Sequence, residues 1–210
     1  MNTDGLDQIA ESTREGLEAK HRAREMALPL TRDVVRLSAN AIRATHRGEF
    51  DAADALLVQA REKLAKIEDG LRDQRDIYHT GFVNDAQKEF AEANTTLALI
   101  AGRPLPTPAD LGVMGPAYLN GIGETIGELR RHLLDRLRAG DIEHCEETLS
   151  AMSNIYDMLM TMDYPEAVTS GLRRTSDAMR AILERTRGDF TMAYVQRRLE
   201  GRLGEFRGND

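Results

Sequence analysis

At 210 residues with a single cysteine, the chain is long enough to bury a substantial core without staples and has no partner thiol for an intramolecular disulfide. A formal charge of −7 argues against a globally basic nucleic-acid binder, though charge can still be segregated by face. The start, MNTDGLDQIAESTREG, is acidic and polar with no apolar signal core, and no run approaches the roughly eighteen apolar residues of a membrane span; a cytoplasmic location away from membranes is expected.

Residues 6–45 read as one long helix, interrupted or bent at Pro29, where a backbone donor is lost and the ring crowds the preceding turn. On its second half Arg32, Arg36, Arg43 and Arg47 form a single stripe. The stripe is either a solvated, salt-bridged face or a track for phosphates. Gly48 breaks the pattern, and Asp51 is placed to cap a second helix carrying Leu56, Leu57, Ala60, Leu64, Ile67 and Leu71. The charged stretch 70–80 reads as a bend. From Gly81 a third helix buries Phe82, Val83, Ala86, Phe90, Ala93, Leu97 and Ile100, with Glu89 on the edge of that stripe and Glu92 just outside it.

Residues 103–116 hold four of the six prolines and form the one clear loop, long enough for a functional segment or a crossover. The next helix buries Tyr118, Ile122, Ile126, Leu129, Leu133 and Leu137, leaving Glu124 and Glu128 on its shoulder beside Gly121 and His132. Gly121, Gly123 and Gly127 each weaken it by roughly 1 kcal/mol relative to alanine, a cost that close packing or ligand access would explain. Gly140 and Asp141 mark a stop and restart. Cys145 then falls in an apolar stripe with Ile142, Leu149, Met152, Ile155 and Leu159, where it reads as a buried thiol rather than a nucleophile. Asp163, ahead of Tyr164 and Pro165, is placed to cap a long last helix through Val168, Leu172, Met179 and Leu183, with Arg173, Arg180 and Arg187 on one side. Nothing alternates with period two, so the chain reads as one all-α domain, 1–210, of six or seven helices.

The chemistry concentrates in two carboxylate pairs. Glu89 and Glu92 are three residues apart, and Glu124 and Glu128 four, so each pair shares a helical face. If the two helices pair antiparallel across the 103–116 connection, all four acids reach one axial level. Neither pair encloses a lysine or arginine, and four carboxylates at one height repel one another unless a cation sits between them. Oxygen donors point to Mg²⁺ or Mn²⁺ rather than zinc or copper. Each glutamate could instead be a solvated residue, with Glu128 pairing to Arg131 or His132.

These residues bring the chain close to a known family. Glu89-Phe90-Ala91-Glu92-Ala93 resembles an EYVEA-like motif, and the run from Tyr118 to Leu129 resembles a YLLGVADLTGEL-like motif, of the translin superfamily, specifically its translin-associated factor X (TRAX) branch. His21, Arg24, Glu25, Leu30, Arg32, Asp33, Ser38, Ile42, His46 and Arg47 resemble the same branch, as do Asn154-Ile155-Tyr156-Asp157 and Tyr164-Pro165-Glu166-Ala167-Val168. The resemblance implies an all-α fold of seven helices, a hollow homo-oligomer (an octamer), binding of single-stranded nucleic acid, RNA or DNA, and in the TRAX branch a Mg²⁺-dependent endoribonuclease site. It maps the catalytic, metal-holding carboxylates onto Glu89, Glu92, Glu124 and Glu128. Glu124 stands where the TRAX pattern has aspartate. The basic HEHWR-like segment of translin has only Arg72, Arg75, Tyr78 and His79 near it.

Three readings follow: a metal-dependent ribonuclease with phosphates held by Arg32, Arg36, Arg43 and Arg47; a non-catalytic nucleic-acid-binding oligomer like translin alone; and a ferritin-like di-metal bundle. The last needs Glu-x-x-His pairs, whereas three residues after Glu89 comes Glu92 and three after Glu128 comes Arg131. His132 reads as a surface or interface histidine rather than a ligand.

Overall fold

The computed structural model describes residues 3–207, so the outermost two and three residues of the expected 1–210 domain lie outside the described residues. Helices carry the architecture, with no strand among the described residues. Six are long: α1 (Leu6–His46), α2 (Phe50–Gly70), α4 (Gly81–Ile100), α6 (Gly115–Ala139), α7 (Glu143–Met160) and α9 (Leu172–Arg207). Three are single turns: α3 (Arg75–Tyr78), α5 (Pro108–Leu111) and α8 (Glu166–Thr169). No helix among them is long and apolar enough to cross a membrane.

Several local expectations change. Pro29 neither breaks nor ends α1, which is helical on both sides of it. Pro29 and Glu25 are both exposed, so the Glu25 carbonyl that loses its helical donor faces water. Asp51 does not cap α2 but sits in its first turn, where its charge suits the helix dipole. The residue before the helix, Glu49, is instead gripped by Arg47 through two bonds of 2.9 and 2.6 Å. Nor does Asp163 cap the last helix. Ser170 (φ 53°) and Gly171 (φ 87°) are both left-handed, a break that delays α9 to Leu172 and leaves Val168 exposed in front of it.

The 70–80 bend is tied down by Tyr78, which is buried, carries the Arg75 guanidinium 4.2 Å above its ring and accepts a bond from Gln87 through its hydroxyl (2.9 Å). Gln87 in turn accepts from the Met114 backbone (2.9 Å), joining the starts of α4 and α6.

That contact overturns the antiparallel pairing. Met114 meets Gln87, Gly121 meets Lys88, and Thr125 meets Glu92 and Thr95, so residue numbers rise together and α4 and α6 run parallel. The proline-rich loop is the crossover that makes this possible. It runs back alongside α2, with Arg103 on Asp54 (2.9 Å) and Arg61 on the Asp110 carbonyl (2.7 Å). A capping box between Thr107 and Asp110 shapes α5, and the Tyr118 hydroxyl bonds the Pro106 carbonyl (2.7 Å).

The main core joins α1, α2, α4 and α6 around Val34, Ile67, Phe90 and Ile126, all essentially inaccessible. On the other side of α6, α7 returns antiparallel and α9 runs beside it, closing a smaller cluster of Leu133, Cys145 and Phe190. Cys145 is fully buried as expected, its thiol donating to the Asp141 carbonyl (3.0 Å) and pushed up by burial.

Candidate metal centre

The parallel arrangement still brings three of the four glutamates together, because level is now counted from the helix starts. Glu89 and Glu92 stand 8 and 11 residues after Gly81, and Glu124 and Glu128 stand 9 and 13 after Gly115. Gly121 lets the helices approach: a Cβ there would lie 2.5 Å from the Lys88 carbonyl oxygen and 3.0 Å from the Glu92 nitrogen. One turn on, the hydroxyls of Thr95 and Thr125 bond across the interface (2.7 Å), both fully buried. Gly123 is packed too, against Thr175 and Leu159, whereas Gly127 has open space where its side chain would be.

Carboxylate oxygens of Glu89, Glu92 and Glu124 all lie within 4.8 Å of one another. Glu89 and Glu124 are half-buried, but Glu92, expected just outside the apolar stripe, is the deepest at 9% exposure. The stripe is wider than one helix contact predicts, because α4 packs against α1, α2 and α6, and its whole 90–93 run is buried. Glu92 has no side-chain hydrogen bond among the described residues. Burial pushes its carboxyl up to about 8, reinforced by Glu89, Glu124 and Glu128 and opposed by Lys88. A buried, unbonded carboxyl among like charges, with oxygen donors only, fits a hard divalent cation.

Two residues in the site were not foreseen. Lys88, immediately before the first pair, puts its Nζ 2.7 Å from Glu124 and 3.4 Å from Glu89. The carboxylates therefore do have a basic neighbour, contrary to expectation. Burial works against the Lys88 ammonium, but the bonds to Glu124 and Glu89 outweigh it and raise its pKa. His46, at the end of α1, bonds Glu128 at 2.5 Å and is 4% exposed at its side chain. An ionised carboxylate only accepts, so Nε2 carries the proton. Glu128 thus pairs neither with Arg131 nor with His132, and stands apart from the other three. The His46 bond holds it below the usual carboxylate range against the effect of burial.

His132 is half-buried with its Nε2 occupied by Arg136 (2.8 Å), and burial, then Arg136 and His46, lower its pKa. It is not in the carboxylate group. All four arginines of the α1 stripe are exposed. Arg36 pairs with Asp33, Arg43 with the Asn40 side chain and Arg47 with Glu49, while Arg32 and Arg36 flank a groove of about 380 Å³ that also involves Val35 and Phe82. Arg43 and Arg47 lie within one turn of His46.

No family model matches the chain. The uncharacterized protein MJ0175 of Methanocaldococcus jannaschii is 30% identical over 185 residues, 86% of this chain and 80% of that protein. Among solved structures, AfC3PO, a translin-family protein, superposes with a TM-score of 0.82 at 35% identity, covering 90% of this chain and 98% of that one. The chain belongs to the translin superfamily. A second AfC3PO structure, described as a complex with duplex RNA, matches equally well, with a TM-score of 0.82 at 35% identity over 90% of this chain and 97% of that one. Apo-NeC3PO, at 21% identity and a TM-score of 0.72 over 92% of this chain and 98% of that one, shares the fold.

The translin-family resemblance names four glutamates as one set, and this chain divides them into a converging trio, two of them on Lys88, and a single residue on His46. No local spacing signals that division. It arises because α1, packed on α2 and α4, ends with His46 within reach of Glu128 on α6.

Proposed function

We propose that this translin-superfamily chain is a Mg²⁺- or Mn²⁺-dependent endoribonuclease of the TRAX-like kind, cutting single-stranded RNA with little sequence preference. It acts as one cytoplasmic domain within a homo-oligomer, an octamer by resemblance. The observation that carries this reading is the convergence of Glu89, Glu92 and Glu124 within 4.8 Å, with Glu92 buried and unbonded.

Glu89, Glu92 and Glu124 would hold a divalent ion, which when bound would supply charge neutralisation at the phosphate and make a water more acidic. Glu92 anchors the floor of the site, and Glu89 and Glu124 form its half-exposed rim. Glu128, kept ionised by His46, is the carboxylate free to take the proton of the attacking water. His46 fixes its orientation. Arg32, Arg36, Arg43 and Arg47 meet backbone phosphates, which carry no sequence information.

A second reading, binding without cutting, draws on Lys88, which already partly neutralises the carboxylates. The test is cleavage of a labelled single-stranded RNA, with a duplex alongside, in Mg²⁺ and in EDTA, by wild type and by Glu124→Ala/Glu128→Ala of equal oligomer mass. Cutting that requires both the metal and the glutamates supports the nuclease. Retention of RNA without cutting, unaffected by the double substitution, favours the binding module.

A further inference from the structure

Lys88 has a place in the site that neither reading uses fully. Its ammonium lies between Glu124 and Glu89, two of the three carboxylates that converge. Resting on the metal-site reading above, we propose that Lys88 is the site's own counter-cation without metal and, once a divalent ion displaces it, a ligand for the substrate phosphate.

The backbone supports this exchange. Residue 88 is held at the closest approach of α4 and α6, where its carbonyl oxygen fills the space a Cβ on Gly121 would need. The main chain therefore cannot carry the lysine away from the site. Its side chain is 22% exposed, and a stem of four methylenes lets the ammonium move. A divalent cation seated among Glu89, Glu92 and Glu124 repels the ammonium outward over a distance of only a few ångströms. That is the side from which a phosphate must approach, since Glu92 closes the floor. The same side chain thus opposes the metal and then favours the substrate, two effects of opposite sign that a merely structural lysine would not produce.

The test pairs two binding measurements on the full-length protein. Mn²⁺ affinity is measured by isothermal titration calorimetry for wild type, Lys88→Met, Lys88→Gln, Lys88→Arg and Glu124→Gln, with thermal melts confirming the fold of each. Affinity for a 2′-O-methyl single strand, checked for integrity afterwards, is measured by fluorescence anisotropy at saturating Mn²⁺. Removing a like charge beside the ion should tighten Mn²⁺ binding about tenfold in Lys88→Met and Lys88→Gln, with Lys88→Arg close to wild type. The same two neutral variants should bind the strand several-fold more weakly. Unchanged or weaker Mn²⁺ binding in both neutral variants overturns the proposal, as does undiminished strand binding. If Glu124→Gln binds Mn²⁺ as wild type does, the metal site itself is wrong.

Discussion

Replacing Glu92 by glutamine should stabilise the metal-free protein and flatten its dependence on pH. Glu92 is buried at 9% exposure, and its carboxyl is raised from 4.5 to about 8. Below 4.5 the group is protonated folded and unfolded and has no effect on stability. Between 4.5 and about 8 the unfolded chain releases a proton that the folded chain keeps, so stability falls as pH rises, levelling off above 8. At about 1.36 kcal/mol per pH unit, the loss reaches roughly 3 kcal/mol at pH 7 and roughly 5 kcal/mol above pH 8. Glutamine has nearly the same shape and never ionises. In EDTA, Glu92→Gln should therefore melt close to wild type at pH 5 and well above it at pH 7. With about 2–4 °C per kcal/mol for a domain of this size, the gap at pH 7 is on the order of 10 °C. Mn²⁺ at a thousand times Kd should reverse the order at pH 7, because only the ionised carboxylate gains from the ion, and binding at that excess adds about 4.1 kcal/mol. Thermal melts at fixed protein concentration from pH 5 to pH 8.5, with and without Mn²⁺, measure all of this. Parallel wild-type and variant curves in EDTA would refute the buried, unpartnered acid.

Further predictions concern the surrounding frame. Gly121→Ala drives a Cβ against the Lys88 carbonyl, so urea unfolding should show a loss of roughly 1–3 kcal/mol together with weaker Mn²⁺ binding. Gly127→Ala, which meets nothing within 4 Å, should instead gain up to about 1 kcal/mol of helix propensity. Neutralising Arg32, Arg36, Arg43 and Arg47 together should weaken RNA binding and lower the slope of log affinity against log salt by about 0.7 per lost single-strand phosphate contact. His46→Ala removes the main cause of the lowered Glu128 pKa, so the acid limb of the cleavage-rate profile should move to higher pH.

The fold and the candidate site were legible in the sequence to different degrees. Helical periodicity located α4 and α6, and the matched offsets of the two glutamate pairs brought them together. The offsets were matched from the helix starts as well as from the loop, so the meeting of Glu89, Glu92 and Glu124 was foreseen even though the helices were expected antiparallel, while Glu128, expected with them, stands apart on His46. Four prolines marked a long loop, a functional segment or a crossover, but its course depends on tertiary bonds from Arg103, Arg61 and Gln87 that no local pattern encodes. The depth of Glu92 was missed because a single-helix projection assumes one buried stripe, and α4 has neighbours on several sides. Lys88 was in plain view beside Glu89, yet its reach across to Glu124 depends on the parallel register. His46 reaches Glu128 from 82 residues away, a pairing only packing reveals.

The most direct test of the central claim is anomalous diffraction from crystals soaked in Mn²⁺. A peak coordinated by Glu89, Glu92 and Glu124, absent in Glu124→Gln crystals, is the predicted result. An empty carboxylate cluster with Lys88 still bridging Glu89 and Glu124 at saturating Mn²⁺ would contradict it.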